Sequence, residues 1–169
     1  MLEIRQQLPG DDPDVNKVNA LAFEREAEAQ LVEALRADPD SIPELSLVAV
    51  LDGEIVGPIL FSPIRIETAE GSVPALSLAP MAVLPEYQNQ GIGSALVRWG
   101  LETCRNLGHR IVIVLGHPDF YPRFGFSAVL AKELECPFGD VGEAWMAIEP
   151  CTERAAPAPP DFSRDDLCV

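Results

Sequence analysis

Positive charge is scarce in this 169-residue chain, which has 12 lysines and arginines against 27 aspartates and glutamates and a formal net charge of −15. Proteins that bind DNA or RNA neutralise the phosphate backbone with clustered basic side chains, so the composition argues against a nucleic-acid partner. The negative field would instead attract a cationic amine. An anionic ligand would have to be held by local main-chain dipoles and a few well-placed arginines.

Long hydrophobic runs are also absent from the sequence. The longest, such as residues 111–115, have the length of a strand and fall far short of the ~20 residues that span a bilayer. The first residues, Met-Leu-Glu-Ile-Arg, do not form the basic region and apolar segment of a secretory signal. We therefore expect a cytoplasmic protein with no membrane partner. The 47% of hydrophobic residues is enough for the core of one domain.

Cysteine is limited to four residues, and they form no Cys-x-x-Cys pair and no cluster of metal-ligand spacing with the two histidines. This pattern predicts free thiols in a reducing compartment and no metal site. Cys104 lies in a predicted amphipathic helix, where we expect it to be buried.

The hydrophobic spacing predicts alternating strands and helices within a single domain, residues 1–150. The predicted elements are a strand at 2–7, helices from 11–14 to 23 and at 25–36, a hairpin of 45–51 and 54–66 around Asp52-Gly53, a strand at 76–84, a helix at 91–107, a strand at 110–115, a helical turn at 118–124, and strands near Phe126 and at 143–148. Because proline donates no hydrogen bond to a ladder, Pro80 predicts a bulge or splay within strand 76–84. Proline, alanine and charge at 151–169 predict an extended acidic tail.

The most informative stretch is residues 81–94, in which an apolar strand passes through Gln88-x-x-Gly91-x-Gly93 into an amphipathic helix. Small residues allow the main chain to approach a ligand closely, and the free N–H groups and positive dipole of a helix start attract phosphate oxygens. A diphosphate ligand is therefore the first hypothesis. The plainer interpretation is a tight strand-to-helix connection without a ligand.

Two familiar phosphate-binding motifs do not fit this loop. A Walker loop needs a lysine after its last glycine, whereas Gly93 is followed by Ser94-Ala95. A Rossmann fingerprint needs a third glycine, where this chain has Leu96, and an acidic residue about twenty positions later, where the chain has the apolar run 111–115.

The remaining pattern, Gln88-x-x-Gly91-x-Gly93, resembles the acetyl-CoA pyrophosphate loop of the GNAT superfamily of N-acetyltransferases. A second motif, Gly116-His-Pro-Asp-Phe-Tyr-Pro-Arg-Phe-Gly-Phe126, resembles the GNAT segment in which a tyrosine precedes a Gly-Phe pair. The resemblance is best over residues 76–126. It implies an α/β fold of the α+β, GNAT-like type: a mixed, largely antiparallel sheet of about six or seven strands, with a splayed, bulged central strand and flanking helices.

The resemblance also implies an activity: transfer of an acetyl group from acetyl-CoA, as co-substrate, to a primary amine by direct attack through a tetrahedral intermediate, without a metal. The acceptor would be a small-molecule amine or a protein or peptide amine. Tyr121 is the catalytic candidate, because the family tyrosine protonates the departing thiolate and a phenol of pKa about 10 can supply that proton. A tyrosine that merely packs in a turn is the plainer alternative.

The cofactor contacts implied by the resemblance come from the strand end, the loop and one arginine: Met81, Ala82, Val83, Gln88, Asn89, Gln90, Gly91, Ile92, Gly93, Ser94 and Arg123. Main-chain groups of residues 81–83, freed where Pro80 disturbs the ladder, are expected to hold the thioester carbonyl and the pantetheine amides. Residues 88–94 are expected to bind the pyrophosphate. Arg123 reaches the ribose 3′-phosphate or faces solvent.

A general base is not evident, because strand 76–84 contains no acidic residue. The candidates are Glu24, Glu26, Glu86, His117 and Asp119. A non-catalytic acyl-CoA-binding sensor and transfer of a different short acyl group remain as alternatives. A homodimer is compatible with the sequence.

Overall fold

A computed structural model describes residues 1–23, 34–35, 37–137 and 139–150. Six strands form one sheet in the order β1 to β6: β1 (Leu2–Gln6), β2 (Ser46–Leu51), β3 (Glu54–Thr68), β4 (Gly71–Met81), β5 (Val112–Leu115) and β6 (Trp145–Ile148). Neighbouring strands are antiparallel except β4 and β5, which are parallel. The helices α1 (Asp12–Phe23), α2 (Ile92–Asn106) and α3 (Ala128–Ala131) flank the sheet and confirm the predicted fold class.

The hairpin of β2 and β3 is confirmed at the predicted turn. Asp52 and Gly53 have φ values of 50° and 90°, the left-handed conformation that a two-residue turn requires at both central positions. Asparagine, aspartate and glycine tolerate this conformation best, which is why Asp-Gly is a specific signal.

The predicted irregularity of the strand that contains Pro80 is also confirmed, although β4 begins earlier than expected, at Gly71, and ends at Met81. Ile59 of β3 pairs with Met81 and Phe61 pairs with Leu78, so β4 has one extra residue in this interval. The parallel pairing with β5 covers only Leu76–Leu78. Beyond Leu78 the two strands are no longer paired, and the sheet opens.

α2 buries its apolar face against the sheet, as its helical spacing predicts. Leu96 and Val97 are fully buried in the same core as Phe61 of β3 and Val15 and Val18 of α1. Each such side chain contributes about 1.5–3 kcal/mol on burial. This packing fixes the start of α2 next to the open end of β4.

Three predictions about local structure are not confirmed: one is wrong, and two fall largely or wholly outside the described residues. The strand predicted near Phe126 is wrong: Ser127 makes a single bridge to Ala147, and its hydroxyl accepts the N–H of Val129 at the start of α3. Serine is a good helix N-cap, so the chain turns into a helix there. The helix predicted at 25–36 lies outside the described residues except for Ala34 and Leu35, which are helical, and the tail at 151–169 lies wholly outside them.

None of the helices in the described ranges is long and apolar enough to cross a membrane.

Candidate active site

The start of α2 presents unpaired N–H groups. Gly91 is its N-cap with a φ of 81°, and no side chain caps the helix. The N–H of Ala95 is the first to bond within the helix, to the carbonyl of Gly91 at 3.0 Å. The N–H groups of Ile92, Gly93 and Ser94 therefore have no acceptor within the helix, and the positive end of its dipole lies at the same place.

The loop that leads into α2 is fixed by its own side chains. The amide of Gln88 donates to the carbonyl of Val83 at 3.0 Å, and the amide of Gln90 donates to the carbonyl of Glu86 at 3.0 Å. Asn89 lies between them with a φ of 61°. These contacts hold residues 88–91 in one conformation, so their main chain is prearranged at the helix start.

The end of β4 turns main-chain groups towards the opening beside β5. The N–H of Ala82 donates to the carbonyl of Pro58 on β3 at 3.1 Å, so the expectation that this group is free is wrong. Hydrogen-bonding groups along an antiparallel strand alternate between its two sides. The N–H groups of Met81 and Val83 therefore point away from β3, into the opening.

The aromatic segment after β5 places Tyr121 in the interior. Its side chain is only 6% exposed. Its ring meets those of Phe120 and Phe126 edge-on, with centroids 5.0 and 5.6 Å apart. Its N–H donates to the carbonyl of His117 at 3.3 Å, which closes the turn.

Burial raises the pKa of Tyr121 to about 12, because the charged phenolate would lose its hydration. The phenol is therefore fully protonated at neutral pH. Within the part of the chain that the structure describes, its hydroxyl has no hydrogen-bond partner. A protonated hydroxyl with no internal acceptor is suited to donate a proton to a ligand.

Gly93 brings the three parts of this site together. A Cβ placed on Gly93 would lie 3.6 Å from Cε of Met81 at the end of β4 and 3.7 Å from Cζ of Phe120 in the aromatic segment. Phe120 in turn contacts Tyr121. The helix start, the strand end and the buried phenol therefore line one continuous region.

Two exposed arginines border this region. The guanidinium of Arg123 lies 5.1 Å from the centre of the Phe120 ring and donates to the carbonyl of Asp119, while that of Arg98 on α2 lies 5.5 Å from the centre of the Phe124 ring. Both remain charged in protein. They are positive groups at the edge of a site in an otherwise strongly acidic protein.

Among the described residues, no side chain stands out as a general base. Glu86, His117 and Asp119 are all exposed, and Glu24 and Glu26 lie outside the described residues. Within the described ranges, no group of three or more histidine, cysteine, aspartate or glutamate side chains is close enough to hold a metal ion.

A bulged strand that separates from its parallel neighbour and leads through a glycine loop into a helix is the arrangement that the resemblance to GNAT acetyltransferases implies. Residues 3–129 match the family model of the acetyltransferase (GNAT) domain. Because this match covers most of the chain, the protein belongs to the GNAT acetyltransferase family, a class of acyltransferases.

Curated relatives support the same assignment. The uncharacterized N-acetyltransferase YjhQ of Escherichia coli K12 is 43% identical over 117 residues, which is 69% of this chain and 65% of the relative's own length. The uncharacterized N-acetyltransferase YhbS of the same strain is 36% identical over 134 residues, 79% of this chain and 78% of its own. The match thus spans slightly less than two thirds of YjhQ.

Solved structures share the fold over nearly the whole chain. A GNAT family acetyltransferase from Brucella melitensis, in complex with acetyl-CoA, has a TM-score of 0.73 and 31% identity and covers 95% of this chain and 94% of its own. YhbS from Escherichia coli, in complex with CoA, has a TM-score of 0.77 and 32% identity, with coverage of 89% and 82%.

The structure gives two residues of the second motif a place in the site: the sequence indicated only that Phe120 packs in the core or against pantetheine, and it assigned no role to Gly116. Phe120 appears as the link between Gly93 and Tyr121, and Gly116 lies directly against the Tyr121 ring. The only sequence signal for Gly116 is a glycine placed between a buried strand and a proline-containing turn.

Proposed function

We propose that this protein transfers an acetyl group from acetyl-CoA to an amine nitrogen of a small molecule, peptide or protein by direct attack. The observation that carries the proposal is the convergence around Gly93 of a free helix start, a strand end that no longer pairs with β5, and a buried, protonated phenol. The family and the two structures that contain acetyl-CoA or CoA support it.

The groups at the start of α2 fit a pyrophosphate. Three adjacent N–H groups without helical acceptors, together with the helix dipole, attract an anion without any lysine. Gly91 and Gly93 leave the main chain uncovered there. Residues 88–94 would hold the diphosphate, and Arg123 would contact the ribose 3′-phosphate.

The strand end fits the thioester arm. The N–H groups of Met81 and Val83 point into the opening, where they would bond the pantetheine amide and the carbonyl that becomes an oxyanion. Donors fixed in place by a sheet need no reorganisation as negative charge develops, which makes them effective.

The reaction requires a neutral amine, whose nitrogen forms a bond to the thioester carbon to give a tetrahedral intermediate. Collapse of the intermediate breaks the carbon–sulfur bond, and Tyr121 donates its proton to the departing thiolate. The proton lost by the amine passes to water and returns to the phenolate. The phenol carries its proton at neutral pH and therefore has it available when the thiolate forms.

The test combines calorimetric titration with acetyl-CoA and an amine panel assayed for CoA release by chromatography. Tyr121→Phe should lower kcat about ten- to a hundredfold, within reach of a general acid, and leave the Kd for acetyl-CoA within about twofold. Tyr87, the other tyrosine of the chain, lies partly buried against the core in the turn Pro85–Tyr87 and is proposed for no step of the reaction, so Tyr87→Phe is the matched control.

Two results would contradict the proposal. Absence of acetyl-CoA binding would remove the cofactor assignment. Binding with no turnover of any amine, unaffected by Tyr121→Phe, would favour an acyl-CoA sensor instead.

A further inference from the structure

Gly116 is a glycine for which the main-chain conformation gives no reason. Its φ lies outside the left-handed region, and its N–H donates to the carbonyl of Ala144 at 3.0 Å, as any residue's could. The reason is space. A Cβ at Gly116 would lie 2.2 Å from Cε2 and 2.8 Å from Cδ2 of Tyr121, far inside the contact distance.

The other sides of the Tyr121 ring are also occupied. The Phe120 ring meets it at an interplanar angle of 88° and the Phe126 ring at 77°. The main-chain N–H of Tyr121 also donates to the carbonyl of His117. A ring enclosed in this way cannot yield to a new methyl group without moving as a whole. Ordinary carbon contacts are about 3.5–4.0 Å, so the ring would have to shift by more than about 1 Å.

We propose that Gly116 is a positioning residue for catalysis: its lack of a side chain sets where the Tyr121 hydroxyl stands in the site. The inference rests on the proposed function, since it concerns the proton that Tyr121 delivers to the thiolate. A displacement of about 1 Å in a reacting group can cost about a hundredfold in rate. The three atoms nearest to a Cβ at Gly116 all belong to Tyr121, and none belongs to the helix start or strand end that would bind the cofactor.

The experiment compares Gly116→Ala with Gly10→Ala, a glycine that also has an ordinary φ and at which an added Cβ would have no neighbour within 4 Å. Gly116→Ala should lower kcat at least tenfold and leave the Kd for acetyl-CoA unchanged. Adding Tyr121→Phe to Gly116→Ala should cause little further loss, because the hydroxyl is already misplaced. Gly10→Ala should behave as the unaltered protein.

A spectroscopic readout follows the ring without any substrate. The ultraviolet titration of Tyr121, isolated by subtraction of the Tyr121→Phe curve, should move from about pH 12 towards the ordinary value in Gly116→Ala. If Gly116→Ala does not fold, Phe126→Leu loosens the ring by removing its edge-on contact with Phe126. That variant should show the same fall in kcat with unchanged cofactor affinity.

The results distinguish failure of this inference from failure of the proposed function. Normal turnover by Tyr121→Phe would overturn both the role of Tyr121 and this inference. The inference alone would be overturned if Tyr121→Phe has low turnover while Gly116→Ala has normal turnover. Where Phe126→Leu replaces Gly116→Ala, normal turnover by Phe126→Leu has the same meaning. A full additional loss when Tyr121→Phe is combined with Gly116→Ala would likewise overturn the inference alone.

Discussion

Gly100 of α2 lies against one edge of the Phe61 ring on β3: a Cβ at Gly100 would be 2.3 Å from Cε2 and 2.5 Å from Cζ of that ring. Glycine inside a helix costs about 1 kcal/mol relative to alanine, so this position gives up helix stability for close packing on the sheet. The contact sets the distance between α2 and the central strands. It thereby fixes where the helix start meets β4.

We expect Gly100→Ala to destabilise the protein by up to about 2 kcal/mol, because overpacking costs about 1–3 kcal/mol and the gain in helix propensity offsets about 1 kcal/mol of it. Urea unfolding would measure the change. In a Phe61→Leu background the same substitution should cost less or become stabilising. A stabilised Gly100→Ala with Phe61 intact would contradict the packing argument.

Gly91→Glu should abolish measurable acetyl-CoA binding, with a rise in Kd of at least about a hundredfold, because an anionic side chain would occupy the helix start where phosphate is proposed to bind. Gly108, at the other end of α2, has nearly the same conformation, with a φ of 83° against 81° for Gly91. Gly108→Glu therefore introduces similar backbone strain and the same charge. Calorimetry should show wild-type affinity for Gly108→Glu, and equal affinities in the two variants would refute the loop assignment.

Arg123→Gln should weaken CoA binding about three- to tenfold, as expected for one exposed ionic contact to phosphate. Binding of 3′-dephospho-CoA should be unaffected, because the group that Arg123 is proposed to contact is missing. Arg110→Gln removes the same charge at the opposite end of β5 and should leave both affinities unchanged. An equal loss for both ligands in Arg123→Gln would place the arginine elsewhere along the cofactor.

Stability should fall above pH 9 because of Cys104. Burial raises the pKa of this thiol from 9.0 to about 12, so between these values the unfolded chain releases a proton that the folded protein retains. Its contribution to stability is complete below pH 9 and is lost as the pH rises to about 12, at about 1.4 kcal/mol per pH unit.

The control for this effect is Cys104→Ala, compared with the unaltered protein by urea unfolding at pH 8 and pH 10.5. The unaltered protein should lose about 2 kcal/mol more over this interval than the variant does, since all other groups are shared. An equal loss in both proteins would show that the Cys104 thiol ionises as readily inside as outside.

Asn19 is fully buried on α1, and within the described residues neither of its side-chain polar atoms has a hydrogen-bond partner. An unsatisfied buried polar group costs about 1–3 kcal/mol, so Asn19→Leu, of similar size, should raise the free energy of unfolding by about that amount. Thermal unfolding would detect it. A destabilised Asn19→Leu would show that the amide has a partner in solution, such as a bound water molecule.

Much of the fold could be predicted because local chemistry specifies it. Asp52-Gly53 can take the left-handed turn, Gly91 can start a helix after a loop, and Pro80 cannot take part in a regular ladder; each acts through its own main chain. The prediction of a strand near Phe126 was wrong because apolar residues there are equally compatible with packing in a turn. The N-cap at Ser127 decided between the two.

The site could be predicted only in part from the sequence, for a different reason. The sequence showed which residues a ligand-binding loop needs and in what order, but it did not show the distances between them in the folded protein. The contact between Gly116 and Tyr121 depends on the turn at His117, and that between Gly93 and Phe120 depends on two segments more than twenty residues apart. Pattern alone likewise could not show that the N–H of Ala82 bonds back to β3.

The three-pair contact between β4 and β5 has an evolutionary consequence. What faces the resulting gap is peptide backbone, which every amino acid except proline supplies equally. Mutation can therefore replace the amino acids at positions 81 and 83 extensively and keep their main-chain N–H donors in place, provided that the chain follows the same path. Divergent members of such a lineage would be expected to preserve the course of this strand long after its sequence has ceased to be recognisable.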